Sequence, residues 1–172
     1  MLANMEEPPT LSKALVSPDH KEWYPAWESE VDSLVSNDMW ELVTLPAGCN
    51  PIGCRWLFRS KNVGPYGAKL VAKGYSQQEG LDYTETFTAV AKFSSLHTLS
   101  ALVSENDWEL EGIDVKTAFL YGELEDTVYI DIPEGLGTDV DPQANGTPIF
   151  CCLVRAIYGL KQSRWAWFGK IN

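Results

Sequence analysis

No stretch of this chain has the run of apolar residues that a membrane span needs. The opening MLANMEEPPT also lacks the basic and apolar regions of a signal peptide. These absences predict an intracellular, cytoplasmic protein with no membrane partner. Histidine is scarce, with only His20 and His97. The four cysteines fall as Cys49 and Cys54, then Cys151 and Cys152, far from both histidines. Neither pair has metal-site spacing, so they read as reduced, buried or half-buried thiols. Positive charge is short as well: 13 basic residues face 24 acidic ones, a net charge of −11. That balance argues against a strongly binding nucleic-acid protein.

What is present supports a core. The 172 residues are 45% hydrophobic and include seven tryptophans. Disordered and fibrous classes are excluded, and the length suits one compact domain or slightly more. The charge is unevenly spread. Residues 105–141 carry twelve acids and a single base, Lys116. Residues 51–78 carry Arg55, Arg59, Lys61, Lys69 and Lys73 and no acid. A local basic segment set against an acidic one still permits contact with nucleic acid.

The pattern along the chain is α+β. Residues 1–18 read as a loose, proline-containing lead. From Asp19, Trp23, Trp27, Val31, Leu34 and Val35 fall at near-helical spacing, and Pro25 must then lie in or near the first turn. WELVTL, CRWLFRSK and AKLVAKGY read as strands, the last two joined by the turn NVGPYG. Alternation puts Arg55, Arg59 and Lys61 on a face opposite Trp56 and Phe58. SSLHTLSALVSEN predicts a helix capped by Ser94 or Ser95, burying Leu96, Leu99, Leu102 and Val103. WELEGIDV predicts a strand with a bulge at Gly112, and TVYIDI and IFCCLV predict two more. GLKQSRWAWFGKIN opens a last helix.

Asp114 sits between Ile113 and Val115, where a core strand would be apolar. A carboxylate there is costly unless it is paired or bound to a cation. A turn into VKTAFL would present the carboxylate and the next carbonyl together, hard oxygen donors that suit magnesium. The same placement fits an aspartate that caps the following helix, and spacing alone favours that plainer reading.

The stretches MWELVTLPAGCNPIGCRWLFRSK, AKLVAKGYSQQEGLDYTETF, DWELEGIDVKTAFLYGELEDTVYIDIPEG and AIYGLKQSRWAW are co-linear from about Trp23 to Trp167. Together they resemble the reverse transcriptase domain of copia-type retrotransposons. The resemblance implies the fingers and part of the palm of a right-hand polymerase, with fingers over 19–92 and partial palm over 93–172. It implies that Asp114 is the first catalytic aspartate and that Asp114 and the Val115 carbonyl bind magnesium. It implies that Phe119 lies under the incoming sugar and excludes a 2′-hydroxyl. Lys69 and Lys73 would meet the triphosphate, with Arg59 and Lys61 next. Gly159 and Gln162 in YGLKQS would border the nucleotide, with Ser163 as a further polar contact. The implied partners are an RNA or DNA template-primer, deoxynucleotides and the rest of a polyprotein.

The chain departs from that family at several points. It has no Asp-Asp dipeptide, whereas the family completes its metal site with an adjacent aspartate pair well after YGLKQ. One carboxylate cannot hold two magnesium ions against their hydration and mutual repulsion. Gly67-Ala68-Lys69 stands where the family tends to have Lys-Ala-Arg, which should weaken triphosphate binding. The expectation is a reverse transcriptase fragment that is inactive alone. The alternative is a non-catalytic nucleic-acid-binding remnant, or a decayed element copy, using the 51–73 hairpin.

Overall fold

The computed structural model describes residues 7–60, 66–84, 86, 92–136 and 148–171. Lys61 and most of the NVGPYG turn lie outside the described residues. The order is α1 (Leu11–Val16), α2 (His20–Ser36), β1 (Trp40–Thr44), β2 (Cys54–Arg59), β3 (Gly67–Ala72), α3 (Phe93–Glu105), β4 (Glu123–Ile130), β5 (Ile149–Arg155) and α4 (Ser163–Ile171). This is the mixed helix-and-strand architecture the pattern predicts. No helix among the described residues is long and apolar enough to cross a membrane.

Two antiparallel sheets carry the fold. β2 and β3 form a hairpin in which Trp56 faces Leu70 and Leu57 faces Lys69. Strand alternation buries Trp56, Phe58, Ala68, Leu70 and Ala72 and leaves Arg55, Arg59 and Lys69 exposed. α2 lies on the buried side. Trp23 meets Phe58 edge-on at 5.5 Å between ring centroids, and Trp27 meets Trp56 at 6.1 Å. Each fully buried side chain of this kind stabilises the fold by about 1.5–3 kcal/mol. The second sheet has the order β1-β5-β4. Ile52 joins the two sheets: its N–H donates to the Tyr129 carbonyl at 2.8 Å, and its carbonyl accepts from Asp131 N–H at 3.1 Å.

Five expectations need correction. The 1–18 lead contains α1, capped by the Thr10 hydroxyl and anchored by burial of Leu11 and Ala14. Pro25 is the sixth residue of α2, beyond the first turn, so the helix runs through it with one backbone donor missing. The cap of α3 is Lys92, not Ser94 or Ser95, and makes no side-chain cap bond. Its stripe is apolar but not buried: Leu96 is 50% exposed, and Leu99 and Leu102 are 45% exposed. Residues 108–115 form no strand, and Trp108, Leu110 and Ile113 are exposed. A strand needs a neighbour for its N–H and C=O groups, and no described strand runs beside this segment.

Candidate functional site

The open edge of β3 positions the site. Its far side is taken by β2, so the N–H groups of Leu70 and Ala72 point outward. The Ala72 N–H donates to the Tyr158 carbonyl at 2.8 Å. The Leu70 N–H favours the charged form of the Glu30 carboxyl on α2. Lys69 directly precedes Leu70 on this strand. Its ammonium lies 4.0 Å from the centroid of the Tyr158 ring, a cation–π contact.

Across from this edge the chain turns sharply at Thr117, which adopts the left-handed conformation (φ 55°), into a short 3-10 helix over Ala118–Tyr121. Leu120 in that turn is fully buried and anchors it. The anchor holds Asp114, Val115 and Lys116 at the surface just before it. It also stands the half-buried Phe119 edge-on against Tyr158, with ring centroids 5.2 Å apart.

Between the two walls is a cavity of about 520 Å³, whose lining includes Glu30, Lys69, Asp114, Val115, Phe119 and Tyr158. Four of the residues singled out from sequence therefore meet here, from stretches far apart in the chain. Phe119 also borders a second cavity of about 390 Å³, with Gly159, Lys161 and Arg164 on its rim.

The other candidates go elsewhere. Lys73 follows β3, its N–H donates to the Gly53 carbonyl at 2.8 Å, and its side chain lies across Gly53. Gly159 has φ +90°, and a Cβ there would collide with the Ala72 carbonyl and the Val71 side chain. Its bareness serves the docking of its own turn on β3. Gln162 is 3% exposed. Its carbonyl accepts from Gln77 Nε2 at 3.0 Å and its amide donates to the Asp82 carbonyl at 2.9 Å. Ser163 is buried and its hydroxyl donates to the Ile157 carbonyl. Arg59 is exposed on the hairpin and does not border the larger cavity.

Sequence reasoning passed over Glu30, Tyr158 and Gln77. Glu30 is 7% exposed, and its Oε1 has no hydrogen-bond partner among the described residues. Burial pushes its carboxyl above the usual range, opposed by the Leu70 N–H and by the charges of Lys69 and Lys116. A signal existed: Trp23, Trp27, Glu30 and Leu34 are spaced as one helix face, so an acid sits in an apolar stripe. Gln77 uses its carbonyl to accept from the Lys161 N–H at 2.8 Å, and Lys161 Nζ donates to the Tyr83 hydroxyl at 3.1 Å. This buried network ties the loop after β3 to the turn before α4.

The sequence model of the reverse transcriptase (RNA-dependent DNA polymerase) family matches residues 37–172. The chain belongs to that family. It is 36% identical to the retrovirus-related Pol polyprotein from transposon TNT 1-94 of Nicotiana tabacum, over 100% of this chain and 13% of that protein. It is 38% identical to the Pol polyprotein from transposon RE2 of Arabidopsis thaliana, over 99% of this chain and 12% of the relative. A truncated Ty1-A Gag-Pol polyprotein of Saccharomyces cerevisiae is 24% identical over 90% of the chain and 13% of its own length. The chain thus corresponds to a reverse transcriptase-like piece of a copia-type retrotransposon Pol polyprotein, spanning about an eighth of those relatives. No solved structure matches it.

The family uses a divalent metal, and the donors here can be tested against one. Among the described residues no group of three or more His, Cys, Asp or Glu side chains could hold an ion. Asp114 and the Val115 carbonyl offer part of a set, and the chain has no adjacent aspartates to complete it. These residues alone do not fit a two-ion centre.

Proposed function

We propose that this chain is the fingers and first part of the palm of an RNA-directed DNA polymerase. Residues 19–92 would form the fingers and 93–172 the partial palm. The cavity between β3 and the 114–119 turn would receive a deoxynucleoside triphosphate. The supporting observation is that Lys69, Asp114, Val115 and Phe119 line one cavity. Each then has a chemical task. The Lys69 ammonium neutralises phosphate charge, since fixed cations are what phosphoryl transfer asks of a protein. Its seat on the Tyr158 ring holds it at the cavity wall. Phe119, braced by the same ring, presents an apolar edge that offers a 2′-hydroxyl no hydrogen bond and so favours a deoxyribose. Asp114 supplies one carboxylate toward a metal site that other residues must complete.

On this reading the 172 residues bind triphosphate weakly and do not polymerise. The test has two arms. Primer extension on an RNA template, with magnesium and all four deoxynucleotides, should give no product, and template-dependent incorporation would refute the inactivity. Calorimetric titration of dATP at low salt should show binding that Lys69→Ala weakens about tenfold, as expected for loss of a charge-assisted contact. Binding that ignores Lys69 would refute the assignment of the cavity.

A further inference from the structure

Glu30 is the one buried carboxylate of the larger cavity, and its free oxygen is left unexplained by nucleotide binding. A triphosphate carries only acceptors near neutral pH, so a carboxylate beside it repels rather than binds. A buried carboxylate oxygen without a donor is also costly. A donor within the cavity would relieve that cost. Lys69 has the means: its ammonium rests on the Tyr158 ring, a contact that uses none of its N–H donors in a hydrogen bond. Lys69 adjoins Leu70, whose N–H already serves the same carboxylate. Both side chains line one cavity, and a lysine stem with four rotatable bonds can carry its head from ring to carboxylate.

We propose that Glu30 is a positioning residue for Lys69, a counter-charge that competes with the Tyr158 ring for the Lys69 ammonium in the ligand-free chain and yields it to an anionic ligand. Lys69 then alternates between two seats inside the cavity, and the anion must compete for it. The other charges facing this space, Lys116 and Asp114, come from the opposite wall. Lys116 attracts the same carboxylate. The inference rests on the reading of this cavity as a triphosphate site.

The competition gives Glu30 an unusual mutational sign. Glu30→Gln keeps the shape, removes the competitor and should tighten dATP binding about three- to tenfold at low ionic strength, the size expected of one charge removed from the wall of the same cavity. A residue that only supports packing would leave affinity unchanged or weaken it. In a Lys69→Met background the gain should shrink to the part that relief of direct repulsion supplies. Glu30→Asp, which keeps the charge but draws it back by one methylene, should fall between wild type and Glu30→Gln and covers the case in which the glutamine variant does not fold. The measurement is titration calorimetry of dATP on the 172-residue chain, with melting curves to confirm folding. Unchanged or weaker binding in folded Glu30 variants overturns the counter-charge. So does a gain of undiminished size without Lys69. No binding by wild type at low salt overturns the triphosphate reading and the counter-charge together.

Discussion

Gly159 offers a sharp test of whether a glycine near the site is there for a ligand or for the fold. Its φ is +90°, and among the three other left-handed glycines of the described residues are Gly48 at +86° and Gly80 at +79°. Those two have nothing within 4 Å of an added Cβ. Replacing them by alanine should therefore cost only the conformational penalty, about 1 kcal/mol. An alanine at 159 carries that penalty and also drives its methyl onto the Ala72 carbonyl, with the Val71 Cγ1 at 2.7 Å. The turn can escape only by leaving β3. That breaks the Ala72 N–H to Tyr158 bond and disturbs Lys161, whose N–H is held by Gln77. Two displaced hydrogen bonds at about 1 kcal/mol each bring the total to roughly 3 kcal/mol. For a chain of this size that lowers Tm by about 6–12 °C, against about 2–4 °C for Gly48→Ala or Gly80→Ala. Urea and thermal unfolding followed by tryptophan fluorescence, without nucleotide, measures all three. A glycine kept bare only for a ligand would behave like Gly80 under those conditions. If Gly159→Ala melts with Gly80→Ala, the packing argument is wrong.

The remaining predictions concern buried groups. Burial raises the Cys54 thiol to about 11 and the Cys151 thiol to about 12, so both should resist a thiol reagent at pH 8 and react promptly once urea unfolds the chain. Because these folded values lie above the ordinary thiol value of 9.0, the neutral thiols' contribution to stability is complete below pH 9 and is lost as pH climbs toward 12. Cys151→Ala should flatten the decline of stability over that window, and an unchanged slope would count against the burial argument. Gln162→Leu leaves the Gln77 amide and the Asp82 carbonyl without a partner and should cost about 1–3 kcal/mol. Adding Gln77→Leu should cost less than the sum of the two, and strict additivity in a double-mutant cycle would show that the pair does not act as a unit.

Period and turn chemistry made most elements legible. Trp56 and Phe58 alternate with Arg55, Leu57 and Arg59, and only one strand phase buries the aromatics, so the β2–β3 hairpin and its polar face follow from the residues. α3 shows where the method stops. Leu96, Leu99 and Leu102 share one face, which is what a helical period establishes. Whether that face is covered depends on what packs against it, and nothing among the described residues does so closely. Trp108, Leu110 and Ile113 failed as a strand for the same reason: alternation specifies two faces but supplies no neighbour to accept the backbone hydrogen bonds.

The site divides along the same line. Lys69 and Lys73 are four apart, so strand alternation alone assigns them one face and one role. β3 ends at Ala72, however, and past that point the chain is no longer bound by the pleat. Lys73 folds back over Gly53 while Lys69 stays at the cavity wall. Gly159 and Gln162 belong to a motif whose likeness to nucleotide-binding segments is a matter of residue identity. Depth is decided by the Gln77 amide and the β3 edge, which bury that motif from below. Glu30 carries the reverse lesson. An acid on the Trp23–Leu34 face contradicts the stripe, and a contradiction of that kind is informative because burying a carboxylate costs too much to persist without a task. Its free oxygen lines the same cavity as the Lys69 side chain, and the management of that one positive charge is the task proposed for it.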